Sequence, residues 1–159
     1  MAEQAGPRTL ATNRRALHRY QPVERLEVGV VLSGTEVKSM RAGRFAFADA
    51  HGRVENGELW LHGLHISHYE HGNRYNHEPD RPRRLLAHKK EIIALRRRVS
   101  ERGLTLVPLR FYTVRGLVKV ELALCRGKRD VDKRQDIRRR DDERETQRAL
   151  RTGALRTRR

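Results

Sequence analysis

The segment "LTLVPLRFYTVRGLVKVELAL", residues 104–124, constrains the fold more than any other stretch. Val118, Val120, Leu122 and Leu124 alternate with Lys119, Glu121, Ala123 and Cys125. That period of two belongs to a strand with one buried face. Arg115-Gly116 just ahead supplies a tight turn, so the segment predicts two long antiparallel strands. "RVENGELWLHGLHI" predicts a second hairpin, because Asn56-Gly57 accepts the positive φ angles of a primed turn. Leu59, Leu61 and Gly63 then share one face, and Trp60, His62 and Leu64 the other. In "YQPVERLEVGVVLSGTEV", Val28, Val30 and Leu32 alternate in the same way.

Two helices are expected among these strands. Thr35 precedes "EVKSMRAG", a short helix with Gly43 as its stop. "DRPRRLLAHKKEIIALRRRVSERG" predicts a longer one, with Asp80 as cap and Pro82 in the first turn. Leu85, Ile92, Leu95 and Val99 form its apolar stripe, and Gly103 lies just past its end. Residues 1–12, with Gly6 and Pro7, are expected to be a disordered arm ahead of a folded domain over 13–125. From Arg126 the composition shifts to 14 Lys and Arg against 7 Asp and Glu, with few apolar residues. Residues 126–159 are therefore expected to be a basic tail, disordered alone and helical on a partner. Several strands with flanking helices predict a mainly β fold. A small antiparallel barrel of the oligonucleotide-binding (OB) kind fits, with an open α+β sandwich as the alternative.

Charge narrows the class of partner. The 159 residues carry 36 Lys and Arg against 20 Asp and Glu, a formal charge of +16. Such an excess favours a polyanion, because each phosphate neutralised releases condensed counterions. A membrane surface is the poorer fit, since no amphipathic helix carries a large aromatic face. "MAEQAGPRTLATNRRAL" has no continuous apolar run, so neither a secretory signal nor a spanning helix is expected. A single cysteine, Cys125, fits a reducing cytoplasm.

Five histidines crowd the window "LHGLHISHYEHGNRYNH": His62, His65, His68, His71 and His77. Spacing of three suits a helix face, but Gly63, Ile66 and Gly72 argue against a helix. In a strand His62 and His68 point together while His65 points away. No carboxylate or cysteine set completes a structural metal site, so no metal is expected. Nor does the chain show paired acids for magnesium, a zinc-hydrolase helix, a nucleophile elbow or a phosphate-binding glycine loop. Catalytic residues are thus expected to be none. "GNRYNHEPDRPRR" offers more to RNA: Asn73 and Asn76 for base edges or backbone, Tyr75 for stacking and Arg74 for phosphate.

In order along the chain stand "NRRALHRY", "GTEVKSMRAGR", "RVENGELWLHGLHIS", "GNRYNHEPDRPRRLLAHKKEI", "GLTLVPLRFYTVRGLVKVELAL" and "RGKRDVDKRQDIRRRD". From about Asn13 to about Arg144 these blocks closely resemble the small protein B (SmpB) family, the bacterial tmRNA-binding (SsrA-binding) proteins of trans-translation. The resemblance implies an OB barrel with packed helices that binds the tRNA-like domain of tmRNA. It implies delivery of alanyl-tmRNA with elongation factor Tu to stalled 70S ribosomes, rescue, and tagging of the nascent peptide. No cofactor and no catalysis by the protein itself are implied. The RNA-facing residues that it implies are Asn13, Arg14, His18, Tyr20, Glu27, Lys38, Arg41, Arg74, Asn76, His77, Lys119 and Lys128.

Asp132, Lys133 and Arg134 match the "DKR" that opens the family's ribosome-engaging tail. The preceding position, commonly His or Tyr, is Val131 here, which removes a stacking group. Tyr75 for the usual Phe and Cys125 for a common Ala are milder departures. A structural ribosomal or assembly protein is the alternative function, and a metal-dependent nuclease the third.

Overall fold

The computed structural model describes residues 6–71, 76–128 and 130–156, with no description of the side chains of 102, 130–132 and 154–156. The chain divides into two compact units, one ending at Gly127 and the other beginning at Lys128.

The first unit is mainly β. Its main sheet is built from β1 (Arg8–Thr12), β2 (Tyr20–Val30), β4 (His51–Glu55), β5 (Glu58–His62), β7 (Arg83–Leu86), β8 (Thr105–Val114) and β9 (Leu117–Gly127). The short strands β3 (Phe45–Ala46) and β6 (His65–Ile66) pair separately. Three helices flank the strands: α1 (Arg14–Arg19), α2 (Gly34–Arg41) and α3 (Lys89–Arg102). All pairings are antiparallel, in the order β1-β8-β4-β5-β7-β2-β9, and β9 pairs again with β8. The pairings β8-β4-β5-β7-β2-β9-β8 thus form a closed circuit. β4 meets β8 at Gly52 and Leu106, where a Cβ on Gly52 would lie 2.9 Å from Leu106 Cβ. Only glycine lets the two backbones come this close.

Both predicted hairpins are present, with φ of 49° at Asn56 and 75° at Gly57, and 50° at Arg115 and 78° at Gly116. Val118, Val120, Leu122 and Leu124 point into one core with Leu59, Leu61, Leu106 and Phe111. Phe45, Phe47 and Phe111 close it with ring centroids 5.4–5.9 Å apart. Ala123 and Cys125, on the other face of β9, are also buried. With Val107 and Leu109 they form a second cluster under Ala16 of α1. Burial accordingly pushes the Cys125 thiol up to about 11, leaving it a neutral packing group.

Several expectations need correction. The arm expected to be disordered over 1–12 is strand at Arg8–Thr12, because those backbone groups pair with β8. α2 includes Thr35, which was expected to precede it, and Ser33 caps it, its hydroxyl accepting from the Glu36 N–H. The helix expected from Asp80 starts only at Lys89, capped by His88 and ended by Gly103 with φ 59°. Arg83–Leu86 ahead of it is a strand. Pro82 disfavours helical backbone at Arg81, and Arg83 and Leu85 then point inward while Arg84 and Leu86 point out. Sequence periodicity missed this because Leu85 fits either period and a buried arginine reads as a surface residue.

The second unit is one helix, α4 (Asp130–Arg156). The basic tail, expected to be helical on a partner, is helix over these residues, in a run whose many arginines favour it. Its described side chains are mostly exposed, Ile137 and Leu150 among them.

Candidate nucleic-acid interface

The outer face of β2, β9 and β8 carries a continuous polar strip, and two slips in strand register put it there. β8 gains one residue on β9 between Pro108 and Arg110, and β2 gains one between Pro22 and Glu24. Proline lacks the N–H that a regular ladder needs, so bulges gather beside it. Counting alternate residues from buried Leu106 would turn Tyr112 inward and Phe111 outward. The extra residue reverses this: Phe111 fills the core and Tyr112 joins the outer face with Arg110.

On that face Glu27 lies opposite Glu121, and Lys119 opposite Tyr112. Arg110 Nε donates to Glu121 Oε2 at 2.7 Å and Arg25 Nη1 to Oε1 at 2.8 Å. The Tyr112 hydroxyl donates to Glu27 Oε2 in a short bond, and Lys119 Nζ lies 3.2 Å from Oε1. The Arg110 guanidinium stacks 4.6 Å over the Tyr112 ring. The Tyr112 bond, with help from Lys119 and Arg110, holds Glu27 below the usual carboxylate range despite some desolvation. Partial burial and the Glu27 charge raise the Tyr112 hydroxyl, which stays a donor.

α1 lies at the end of the same face, over Ala123 and Cys125. Its cap is Asn13, whose Oδ1 accepts from Ala16 N at 3.2 Å and whose Nδ2 donates to Pro108 O at 3.0 Å. Asn13 is buried, so its direct contribution is to hold α1 on β8. Arg14 is exposed in the first turn, His18 is half-buried in the last, and half-buried Tyr20 packs against the second cluster.

A second group forms around α2. Arg41 Nη2 donates to Gly116 O at 3.0 Å, tying α2 to the β8–β9 turn. Lys38 Nζ sits 5.4 Å from the Tyr69 ring centroid. Asn76 clamps that tyrosine's backbone, accepting from Tyr69 N and donating to Tyr69 O, both at 2.9 Å. His77 is buried, with Nδ1 3.1 Å from Thr35 Oγ1 and Nε2 2.8 Å from Ile66 O. Both of its ring nitrogens are thus engaged inside the protein. Beneath them Glu36 and Arg83 are fully buried. Glu36 accepts from Arg81 Nε at 2.5 Å and from Arg83 Nε at 3.1 Å. Arg83 also donates to Leu64 O at 2.5 Å and Pro79 O at 2.9 Å. Burial lowers the Arg83 guanidinium from its ordinary value, and Glu36 opposes that.

Arg74, Asn73 and Tyr75 lie outside the described residues, as do the side chains of Val131 and Asp132. Lys128 pairs with Asp136 beside α4, and that bond lowers the Asp136 carboxyl. Lys133 is half-buried and Arg134 exposed on α4. The remaining histidines disperse: His62 Nε2 is 3.0 Å from Glu55 Oε1, and His65 Nδ1 is 2.8 Å from Asp80 Oδ1. His68 meets His77 edge-on at 5.8 Å. Among the described residues no three His, Cys, Asp or Glu come together as a metal-holding group.

By class this is a basic, mainly β protein that presents cations and fixed hydrogen-bonding groups on one sheet face. The family model for SmpB protein matches residues 10–152, and the chain belongs to that family. The SsrA-binding protein of Moorella thermoacetica is 59% identical over 145 residues, covering 91% of this chain and 94% of the relative. That of Desulfitobacterium hafniense is 53% identical over 146 residues, covering 92% and 94%. A solved chain described under "tmRNA-SmpB: a journey to the center of the bacterial ribosome" is 47% identical with a TM-score of 0.64. It covers 81% of this chain and 94% of that one.

Proposed function

We propose that this protein binds tmRNA and acts with it on stalled ribosomes in trans-translation. The observation that carries the reading is the SmpB family match over residues 10–152, which spans most of both units. On this reading the first unit is an OB barrel, which the closed circuit of strand pairings supports. It holds the tRNA-like domain of tmRNA against α1 and the strip around Glu27 and Lys119. Arg14, His18, Tyr20, Lys38, Arg41 and Arg74 are contacts. Asn13, Asn76 and His77 act chiefly by holding α1 and the backbone at Tyr69 and Ile66 in place, since their polar groups are engaged within the protein.

Lys128 is a further RNA contact, while Asp132, Lys133 and Arg134 belong to the ribosome-engaging tail of residues 126–159, helical in its work. The protein carries out no catalysis, arrives with alanyl-tmRNA and elongation factor Tu, and works in the cytoplasm. No helix among the described residues is long and apolar enough to cross a membrane.

Sequencing RNA crosslinked to the protein in cells tests the reading. One dominant tmRNA species is expected, whereas uniform recovery of ribosomal RNA from idle ribosomes would sink it in favour of a structural ribosomal role. Deleting residues 129–159, which leaves β9 and Lys128 in place, separates RNA binding from ribosome engagement. Binding of tmRNA should persist while peptide tagging stops, and loss of binding would overturn the division.

A further inference from the structure

A carboxylate on a face meant for RNA needs a reason, since it repels phosphate. What Glu27 can do is accept hydrogen bonds from a base amino group or a ribose hydroxyl. That role demands a fixed orientation, which a single ion pair to a flexible lysine does not give. Glu27 is half exposed and has such a cation 3.2 Å away, the Lys119 ammonium.

Tyr112 supplies the restraint. Its ring is buried at 3% exposure, wedged beside Phe111 in sequence but turned to the other face by the bulge. From there its hydroxyl donates to Glu27 Oε2, and its face carries the Arg110 guanidinium. Arg110 is held a second time by Glu121 and keeps 40% of its side chain in solvent. Two bonds leave a carboxylate with further acceptor capacity, about four sites in all. Glu27 and Lys119 also line a cleft of about 400 Å³, with Glu58, Arg84 and Glu91 but neither Tyr112 nor Arg110 among its walls.

We propose that Tyr112 is a positioning residue for RNA recognition. Through its hydroxyl it aims Glu27 as an acceptor, and through its ring it aims Arg110 as a donor, at an unpaired nucleotide bearing an amino or 2′-hydroxyl donor. The proposal rests on the tmRNA-binding reading. It adds a selective element to a surface otherwise governed by charge, because the acceptor rewards a donor edge and penalises a bare phosphate.

The test uses the full chain and measures affinity for the tRNA-like domain of tmRNA and for an unrelated structured RNA of equal length. Tyr112→Phe keeps the ring that fills the sheet face and removes only the hydroxyl. It should lose about tenfold in affinity for the tmRNA domain, the worth of one hydrogen bond to a charged group, with little change for the unrelated RNA. Glu27→Gln should lose a similar factor, and the double variant no more than either single. A melting temperature for each variant keeps folding apart from binding, and a general structural role would weaken both RNAs together. Wild-type affinity in Tyr112→Phe, equal losses on both RNAs, or multiplicative losses in the double variant overturn this proposal alone. A wild-type protein with no preference for the tmRNA domain overturns the binding reading and this proposal with it.

Discussion

Glu27 and Glu121 stand directly opposite each other across β2 and β9, and both carboxyls are held below their usual range. Like charges in facing positions destabilise a sheet, so each must be answered. For Glu121 desolvation pushes upward, but the bonds from Arg110 and Arg25 outweigh it. For Glu27 the Tyr112 hydroxyl leads and Lys119 follows. The strip is therefore a set of mutually dependent charges.

Acid should expose that dependence. A carboxyl whose pKa is lower folded than unfolded contributes stability that is present above the unfolded value, about 4.5 here, and is lost as pH falls through the folded one. The melting temperature should drop steeply below about pH 4.5, and Glu121→Gln should melt lower at pH 7 with a shallower acid slope. Thermal melts between pH 3 and pH 7 check this, and parallel curves for the two proteins would refute it.

Closure at Gly52 should tolerate no side chain. Gly52→Ala forces a methyl to within 2.9 Å of Leu106 Cβ, an overpacking expected to cost about 1–3 kcal/mol. Gly34→Ala, where nothing lies within 4 Å at the start of α2, is the matched control and should cost little. Urea unfolding of both variants decides between them.

The buried Glu36–Arg83 pair should be costly to break and cheap to replace whole. Glu36→Ala leaves the fully buried Arg83 guanidinium without its counter-charge, a loss of about 3–5 kcal/mol. Exchanging both for apolar residues, Glu36→Leu with Arg83→Met, should cost less than Glu36→Ala alone, offset in part by the carbonyls of Leu64 and Pro79 that Arg83 serves. Chemical denaturation of the single and double variants measures the difference.

RNA affinity should fall steeply with salt, since phosphate contacts release counterions together. Removing one phosphate contact by Arg14→Ala should reduce the slope of log affinity against log salt by about 0.7–0.9. Glu27→Gln should leave the slope unchanged. Binding titrations at several salt concentrations check both, and an unchanged slope in Arg14→Ala would place that exposed arginine away from the RNA.

Much of the frame was legible from residue order. The turns at Asn56-Gly57 and Arg115-Gly116, the alternation along β9, the stop at Gly103 and the charge shift after Arg126 are local signals that tertiary context did not override. The site was legible in part: Glu27, Lys119, Arg14 and Lys38 lie on the proposed surface. Asn13, Asn76 and His77 are drawn inward to hold backbone, which no sequence pattern distinguishes from contact with RNA. Tyr112, Arg110, Arg25 and Glu121 were missed: alternation puts Glu121 on the Lys119 face and Arg25 on the Glu27 face, but it points Tyr112 and Arg110 the wrong way because a bulge resets the count.

Sequence alone determined where the chain turns, that Val118, Val120, Leu122 and Leu124 share an apolar face of β9, and that the surface favours a polyanion. Turn geometry, side-chain period and net charge are properties of neighbouring residues or of plain sums. Only the tertiary structure decided that Arg83–Leu86 is a strand, that Leu109 is the extra residue in β8, and that Glu27 is aimed by a buried tyrosine. Each of these depends on a partner distant in the chain: Glu36 for Arg83, β9 for the bulge, and β8 for the glutamate on β2. Such partners meet only when the sheet assembles, so their consequences are not present in any local stretch of residues.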